Sequence, residues 1–213
     1  MKMNRNWTLT AIAVSFVVAL LTVWQVGQTK GALWFDKVIT SSLNWVPESS
    51  LPFFIAITEM GDKVGIGILA LITVLWLAFK KKDFAGIAAF VFAVALGNEV
   101  SKLLKNMVGR PRPEVEHLVD LTSFSFPSGH AMVGIILYFF IAYLILKHVE
   151  NKNIRMLGAV LAGILILLIG MSRIVLHVHY ASDVVGGYAL GFMWVSLWIF
   201  LYEKYGRKLN RTK

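Results

Sequence analysis

AMVGIILYFFIAYLIL, residues Ala131–Leu146, runs sixteen positions without a charged side chain. With its flanking turns that is close to the about 20 residues a helix needs to cross the hydrocarbon core of a bilayer. Five more stretches read the same way: Trp7–Val26, Val64–Phe79, Phe84–Val100, Met156–Met171 and Val184–Tyr202. Backbone polar groups in lipid must be satisfied within the segment, so each should be a helix. The expected fold is therefore all-α, a polytopic membrane helix bundle with six transmembrane helices in a single domain over residues 1–213. The alternative, core helices of a soluble protein, fits poorly with a chain 57% hydrophobic and only 15% charged.

Lys2 and Arg5 precede the first stretch, as they would a signal peptide. Its apolar run is too long for that and no small-x-small cleavage site follows, so a retained helix is expected. The connection 27–62 differs in kind, with Trp34, Phe35, Trp45, Leu51, Phe53 and Phe54 scattered among Gly, Ser and Pro. Aromatics spaced like this suit the headgroup layer, as short interfacial helices in the first external loop. A partly ordered loop is the competing reading.

Zero cysteines exclude a disulfide scaffold, thiol catalysis and thiolate metal sites. A net charge of +9 raises nucleic acid as a partner, but no soluble module carries a basic face with interleaved aromatics. The charge sorts by topology instead. Six spans put both ends on one side, and thirteen of the 21 Lys and Arg residues fall there against eight on the other. That bias places both termini in the cytoplasm of a multi-pass plasma-membrane protein. Four of the eight exceptions lie between Lys102 and Arg112. Cations kept on the disfavoured side should have a task.

The same alternation brings connections 101–130 and 172–183 to one face, and with them three polar patches. Ser128-Gly129-His130 directly precedes the opening stretch. Ser128 is a favoured N-cap, and Gly129 lets an oxyanion approach the free N–H groups of a helix start. Simple capping would explain both, but not His130. In the 172–183 patch, Asp183 follows His179 by four positions. A carboxylate on one ring nitrogen fixes the tautomer and frees the other as base or nucleophile. Arg173 is available as an oxyanion clamp. Ligation of a metal by His177, His179 and Asp183 is the alternative, although such a site has no need of Arg173 or of extra cations. Lys105 and Arg112 frame the third patch, with Pro111 and Pro113 stiffening the exit from the helix. Contact with lipid headgroups is the bland alternative, which fits Lys102 and Arg110 better. Glu99 reads as the partner of Lys102 in an intrahelical ion pair, and His117 and His148 as solvated loop residues.

Lys105 to Pro113 reads Lys-x6-Arg-Pro, Pro127 to His130 reads Pro-Ser-Gly-His, and Ser172 to Asp183 reads Ser-Arg-x5-His-x3-Asp. In this order and spacing the chain resembles the type-2 phosphatidic acid phosphatase family, which shares its active site with vanadium haloperoxidases. Among its members, the phosphatidylglycerophosphate phosphatase B-like and undecaprenyl pyrophosphate phosphatase-like proteins are most similar. The resemblance implies a membrane enzyme that hydrolyses a terminal lipid phosphate or pyrophosphate with no cofactor and no metal. It implies His179 as nucleophile, Asp183 as its orienting partner and His130 as general acid and then base. Lys105, Arg112, Ser128, Gly129 and Arg173 are implied to hold the phosphoryl oxygens. A non-catalytic lipid-phosphate binder or flippase, and a metal-dependent membrane hydrolase, are the competing functions. A binder would need the cations, but not His179 paired with Asp183.

Overall fold

Helices run past the ends of the apolar stretches, and this extension places the polar patches. The computed structural model describes residues 5–43, 46–114 and 123–206. Trp45 and His117 lie outside them. Among the described residues there are eight α-helices and no strand: α1 (Arg5–Thr29), α2 (Trp34–Ser42), α3 (Leu51–Glu59), α4 (Lys63–Leu75), α5 (Phe84–Val108), α6 (Gly129–Leu146), α7 (Lys152–Val175) and α8 (Ala181–Leu201). A 3₁₀ turn, Glu48–Ser50, leads into α3, and α4 and α8 finish in π turns over Trp76–Lys81 and Tyr202–Gly206. Six of the eight, α1 and α4 to α8, are long and apolar enough to cross a membrane. The two short helices α2 and α3 sit between the first and second spans, as the spacing of the aromatics suggests.

Helix α6 is the axis of the bundle. It buries Met132, Ile136, Leu137, Phe140 and Leu144 against Phe90, Ile169 and Val195, with Phe90 edge-on to Phe140 at 5.6 Å between ring centroids. Helix α8 lies close against it because Gly187 and Gly191 carry no side chain. A Cβ at Gly187 would stand 2.9 Å from the Ser128 carbonyl, and one at Gly191 would stand 2.6 Å from that of Met132. Two small residues four apart let helix backbones approach closely where lipid provides no hydrophobic drive. The outer faces of α1, α4 and α7 stay apolar and exposed, with Phe16, Leu20, Trp24, Ile68, Leu71, Leu157 and Leu161 among them. That is the surface expected of lipid contact.

Two helix ends decide where the chemistry sits. Helix α5 continues two turns beyond Val100, carrying Lys105 on its last turn. It stops at Gly109, whose φ of 62° is left-handed and whose N–H donates to the Lys105 carbonyl at 2.9 Å. Helix α7 likewise runs through Ser172 and Arg173, which the hydropathy had placed in a connection. It closes in a Schellman turn. His177 adopts a φ of 54°, its N–H donates to Ile174 O at 2.9 Å, and the N–H of Val178 donates to Arg173 O at 3.1 Å. The turn usually takes glycine; here a histidine occupies the left-handed position.

Candidate active site

The three patches meet at one end of the bundle. Arg112, beyond α5, joins the 172–183 patch to the segment that leads into Ser128. Its Nη1 donates to the Val178 carbonyl at 2.7 Å, its Nε to Ser123 O at 2.8 Å and its Nη2 to Ser123 Oγ at 3.1 Å. Lys105 Nζ donates to Phe124 O at 2.8 Å. The Ser128 N–H donates to the Asp183 carbonyl at 3.0 Å, while Ser128 Oγ caps α6 by accepting from the Ala131 N–H at 3.5 Å. Ser128 and Gly129 therefore stand at the positive end of the central helix, with Lys105 and Ser101 about 4 Å from where a Gly129 side chain would begin.

His179 is buried, 3% exposed. It lies between the α7 turn and Tyr180, the cap of α8, so the four-residue spacing to Asp183 operates across a helix start and not within a helix. Asp183 Oδ2 lies 3.4 Å from Nδ1 of the ring. The same oxygen accepts from Ser125 Oγ at 2.5 Å and from the Tyr180 N–H at 2.9 Å. An acceptor-only carboxylate there assigns the ring proton to Nδ1 and leaves the lone pair on Nε2. That nitrogen faces Arg112, whose Nη1 is 3.4 Å away. Burial, reinforced by Arg112 and Lys105 and opposed by Asp183, pushes the His179 pKa down from 6.5 to about 3. The imidazole is thus neutral and nucleophilic at any ordinary pH. Burial also lowers the pKa of the Arg112 guanidinium, opposed by Asp183.

Across the site stands His130, half-buried in the first turn of α6, with the cations Arg173, Lys105 and Arg112 and the His179 ring as its neighbours. The turn between α3 and α4 presses on its ring. A Cβ on Gly61 would meet His130 Cδ2 at 2.9 Å, and Met60 O accepts from the Tyr138 hydroxyl at 2.8 Å. Thr58 in α3 accepts from Arg173 Nη1 at 2.7 Å. The Nε of Arg173 is buried without a protein partner. Three cations, two imidazoles and one carboxylate therefore converge.

The PAP2 superfamily model matches residues 86–207. The chain belongs to the PAP2 superfamily. It is 39% identical over 116 residues to phosphatidylglycerophosphatase B of Bacillus subtilis (strain 168), covering 54% of this chain and 55% of the relative. It is 33% identical over 121 residues to the lipid A 1-phosphatase of Rhizobium johnstonii, covering 52% and 45%. The chain thus spans about half the length of the curated relatives it matches. The crystal structure of a transmembrane PAP2-type phosphatidylglycerolphosphate phosphatase from Bacillus subtilis superposes with a TM-score of 0.80 at 27% identity, over 91% of this chain and 96% of that one. Aquifex aeolicus LpxE shares the fold, with a TM-score of 0.63 at 21% identity over 79% and 96%.

All eight residues singled out in the PAP2 motifs are at this end. Four residues that motif reading passed over are there too. Arg110 is the main correction. Reading it as a headgroup contact is wrong, because it is completely buried and bonded to Asp183 and Asp36. In Gly-Arg-Pro-Arg-Pro the two arginines look alike, and only the turn at Gly109 decides that Arg110 points inward. Asp36 and Ser125 were missed because they fall outside the three motifs, and Ser182 because it occupies an unspecified position between His179 and Asp183. The readings of Glu99 and His148 agree with the structure. Glu99 pairs with Lys102 at 2.7 Å, both exposed, and His148 is exposed in the turn after α6. The metal alternative loses its donors. Both Asp183 oxygens are already engaged, His177 is exposed, and no cluster of three metal-ligating side chains occurs among the described residues.

Proposed function

We propose that this chain is an integral membrane phosphatase that removes the terminal phosphoryl group of a lipid phosphate or pyrophosphate through a phosphohistidine at His179. The carrying observation is the orientation of that ring, with Nδ1 held by Asp183 and the lone pair on Nε2 directed at Arg112, with the Lys105 charge close by. In the first step Nε2 forms the P–N bond as the P–O bond to the leaving oxygen breaks, and His130 gives that oxygen its proton. In the second, water attacks phosphorus, His130 accepts its proton, and the P–N bond breaks to release phosphate. Lys105, Arg112, Arg173, the Ser128 hydroxyl and the Gly129 N–H hold the equatorial oxygens, fixed donors aimed where charge concentrates. Three side-chain cations supply the charge that metal ions provide in many other phosphoryl-transfer sites.

The basic-residue bias supports a plasma-membrane location with both termini cytoplasmic and this end of the bundle outward. A cysteine introduced at Asp120 should then react with an impermeant thiol reagent in intact cells. Labelling only after lysis would reverse the orientation. The activity is tested by phosphate release from detergent-purified protein on phosphatidylglycerophosphate, phosphatidate and undecaprenyl pyrophosphate. Turnover should persist in EDTA and be inhibited by vanadate. Lipid binding without release would instead make the protein a binder, and restoration by Zn²⁺ or Mn²⁺ after chelation would make it metal-dependent.

A further inference from the structure

Beneath His179 and Asp183 lies a buried chain of charge that reaches back into the first connection. Arg110 Nη1 donates to Asp183 Oδ1 at 2.5 Å and to Ser182 Oγ at 2.7 Å. Its Nη2 donates to Asp36 Oδ2 at 2.9 Å and to Gly31 O at 2.7 Å. Asp36 belongs to α2, yet its Oδ1 accepts the Ser182 N–H at 2.7 Å, at the start of α8. Asp36 Oδ2 also accepts from the Leu33 N–H at 2.9 Å and from Ser182 Oγ at 2.8 Å. Arg110, Asp36 and Asp183 are at most 1% exposed. The Tyr180 ring covers the guanidinium, 4.1 Å from its carbon to the ring centroid.

We propose that Asp36 and Arg110 are positioning residues for the nucleophile, setting the rotation and the charge of the Asp183 carboxylate that holds His179. The argument rests on the phosphatase reading and deepens it. One planar guanidinium serves two carboxylates, a task suited to its fixed fork of donors. By occupying Oδ1 it turns Oδ2 toward His179. By sharing its charge with Asp36 it leaves Oδ2 electron-rich enough to accept the Nδ1 proton. A neutral Asp36 would let Arg110 bind Asp183 alone, weaken that acceptor and make Nε2 a poorer nucleophile. Neither residue bonds Lys105, Arg112, Arg173, Ser128 or Gly129, so substrate binding should be spared.

A merely structural pair would behave differently, and the kcat against KM split separates the two. Asp36→Asn is isosteric and keeps an acceptor for the Ser182 N–H. On a lipid that the wild type hydrolyses, it should lower kcat and the rate of phosphoenzyme formation about 10- to 100-fold, the usual loss for the partner of a reacting group's own partner. KM and vanadate inhibition should stay near wild type. Arg110→Gln should lose more, and Arg110→Lys should regain part of it, since an ammonium keeps the charge but cannot span both carboxylates. If Arg110→Gln fails to fold, Asp36→Asn and Arg110→Lys carry the test. An unchanged kcat in Asp36→Asn overturns the proposal. So does a KM and vanadate affinity that worsen in step with the melting temperature while kcat holds. Wild-type protein inert on every lipid would instead overturn the phosphatase reading, and this proposal with it.

Discussion

The two ends of the bundle each carry a knot of polar side chains, and they are balanced differently. At the end away from the PAP2 motifs, Asp83 caps α5 by accepting the Gly86 N–H at 2.8 Å and takes the Tyr202 hydroxyl at 2.5 Å. Lys147 donates to Tyr202 Oη at 2.5 Å, with the Tyr202 ring 4.4 Å below its ammonium, and Tyr143 donates to Glu203. The one cation faces Asp83 at 3.9 Å and two aromatic rings, and Glu203 accepts the Tyr143 hydroxyl, so each charge has a partner within the protein. At the other end Lys105 and Arg112 stand near a carboxylate already spoken for by Arg110, Ser125 and His179, while Arg173 lies near Asp62 and donates to Thr58. Lys105 and Arg112 rest on backbone carbonyls, which are weak partners for a full charge. The first knot ties three helix ends together. The second holds unspent positive charge in a partly water-excluded cavity, where it stabilises an added dianion strongly.

Mutations can break that contrast at graded cost. His179→Ala removes the proposed nucleophile, so no acid-labile phosphoenzyme should form and phosphate release should fall to background. Any residual turnover by a phosphoenzyme route would relocate the attack to His130. His130→Ala removes only the proposed proton donor, and general acid catalysis is typically worth about 10²- to 10⁴-fold. With lipid substrate the loss should be of that size. With a nitrophenyl phosphate, whose leaving group needs no proton, a measurable part should return, while His179→Ala should stay inactive. Equal defects of both variants on both substrates would mean that the acid is misassigned.

A smaller effect concerns acid stability. His179 is neutral in the folded protein, with a pKa lowered from 6.5 to about 3, so between those values the unfolded chain binds more protons. Stability should therefore be full above pH 6.5 and fall as the pH drops toward 3. His179→Gln should flatten that slope in thermal melts of detergent-solubilised protein; an unchanged slope would mean that the ring is hydrated. At the opposite end, Tyr202→Phe removes a hydroxyl that bonds both Asp83 and Lys147 and should cost about 1.5–3 kcal/mol of stability, as lost bonds to charged groups do. Activity should not change. A drop in kcat there would show that the two knots communicate.

Much of this was legible in the chain. Charge-free runs such as Ala131–Leu146 dictate spans, because lipid admits no other backbone arrangement, and counting them brings the three motifs to one face. Three other features were not legible. Hydropathy ended the third span at Val100 and the fifth at Met171, because charged residues lower the average even when they ride on a continuing helix. Pairing preference does not separate Arg110 from Arg112, since burial is set by a turn angle at Gly109. Asp36 reaches the site only through tertiary packing, where Val26, Leu33 and Phe126 form a small apolar cluster beneath the first connection.

The turn that ends α7 has a mechanical consequence. The carbonyl of Arg173 accepts the N–H of both Val178 and His179, at 3.1 and 3.2 Å, so the proposed clamp and the proposed attacking ring hang from the same peptide unit. Helices in bilayers tilt when the surrounding membrane thickens or thins. A tilt of α7 carries attacker and anchor together as common-mode motion, leaving their separation nearly constant. The reacting geometry is thereby insulated from changes in the lipid around it.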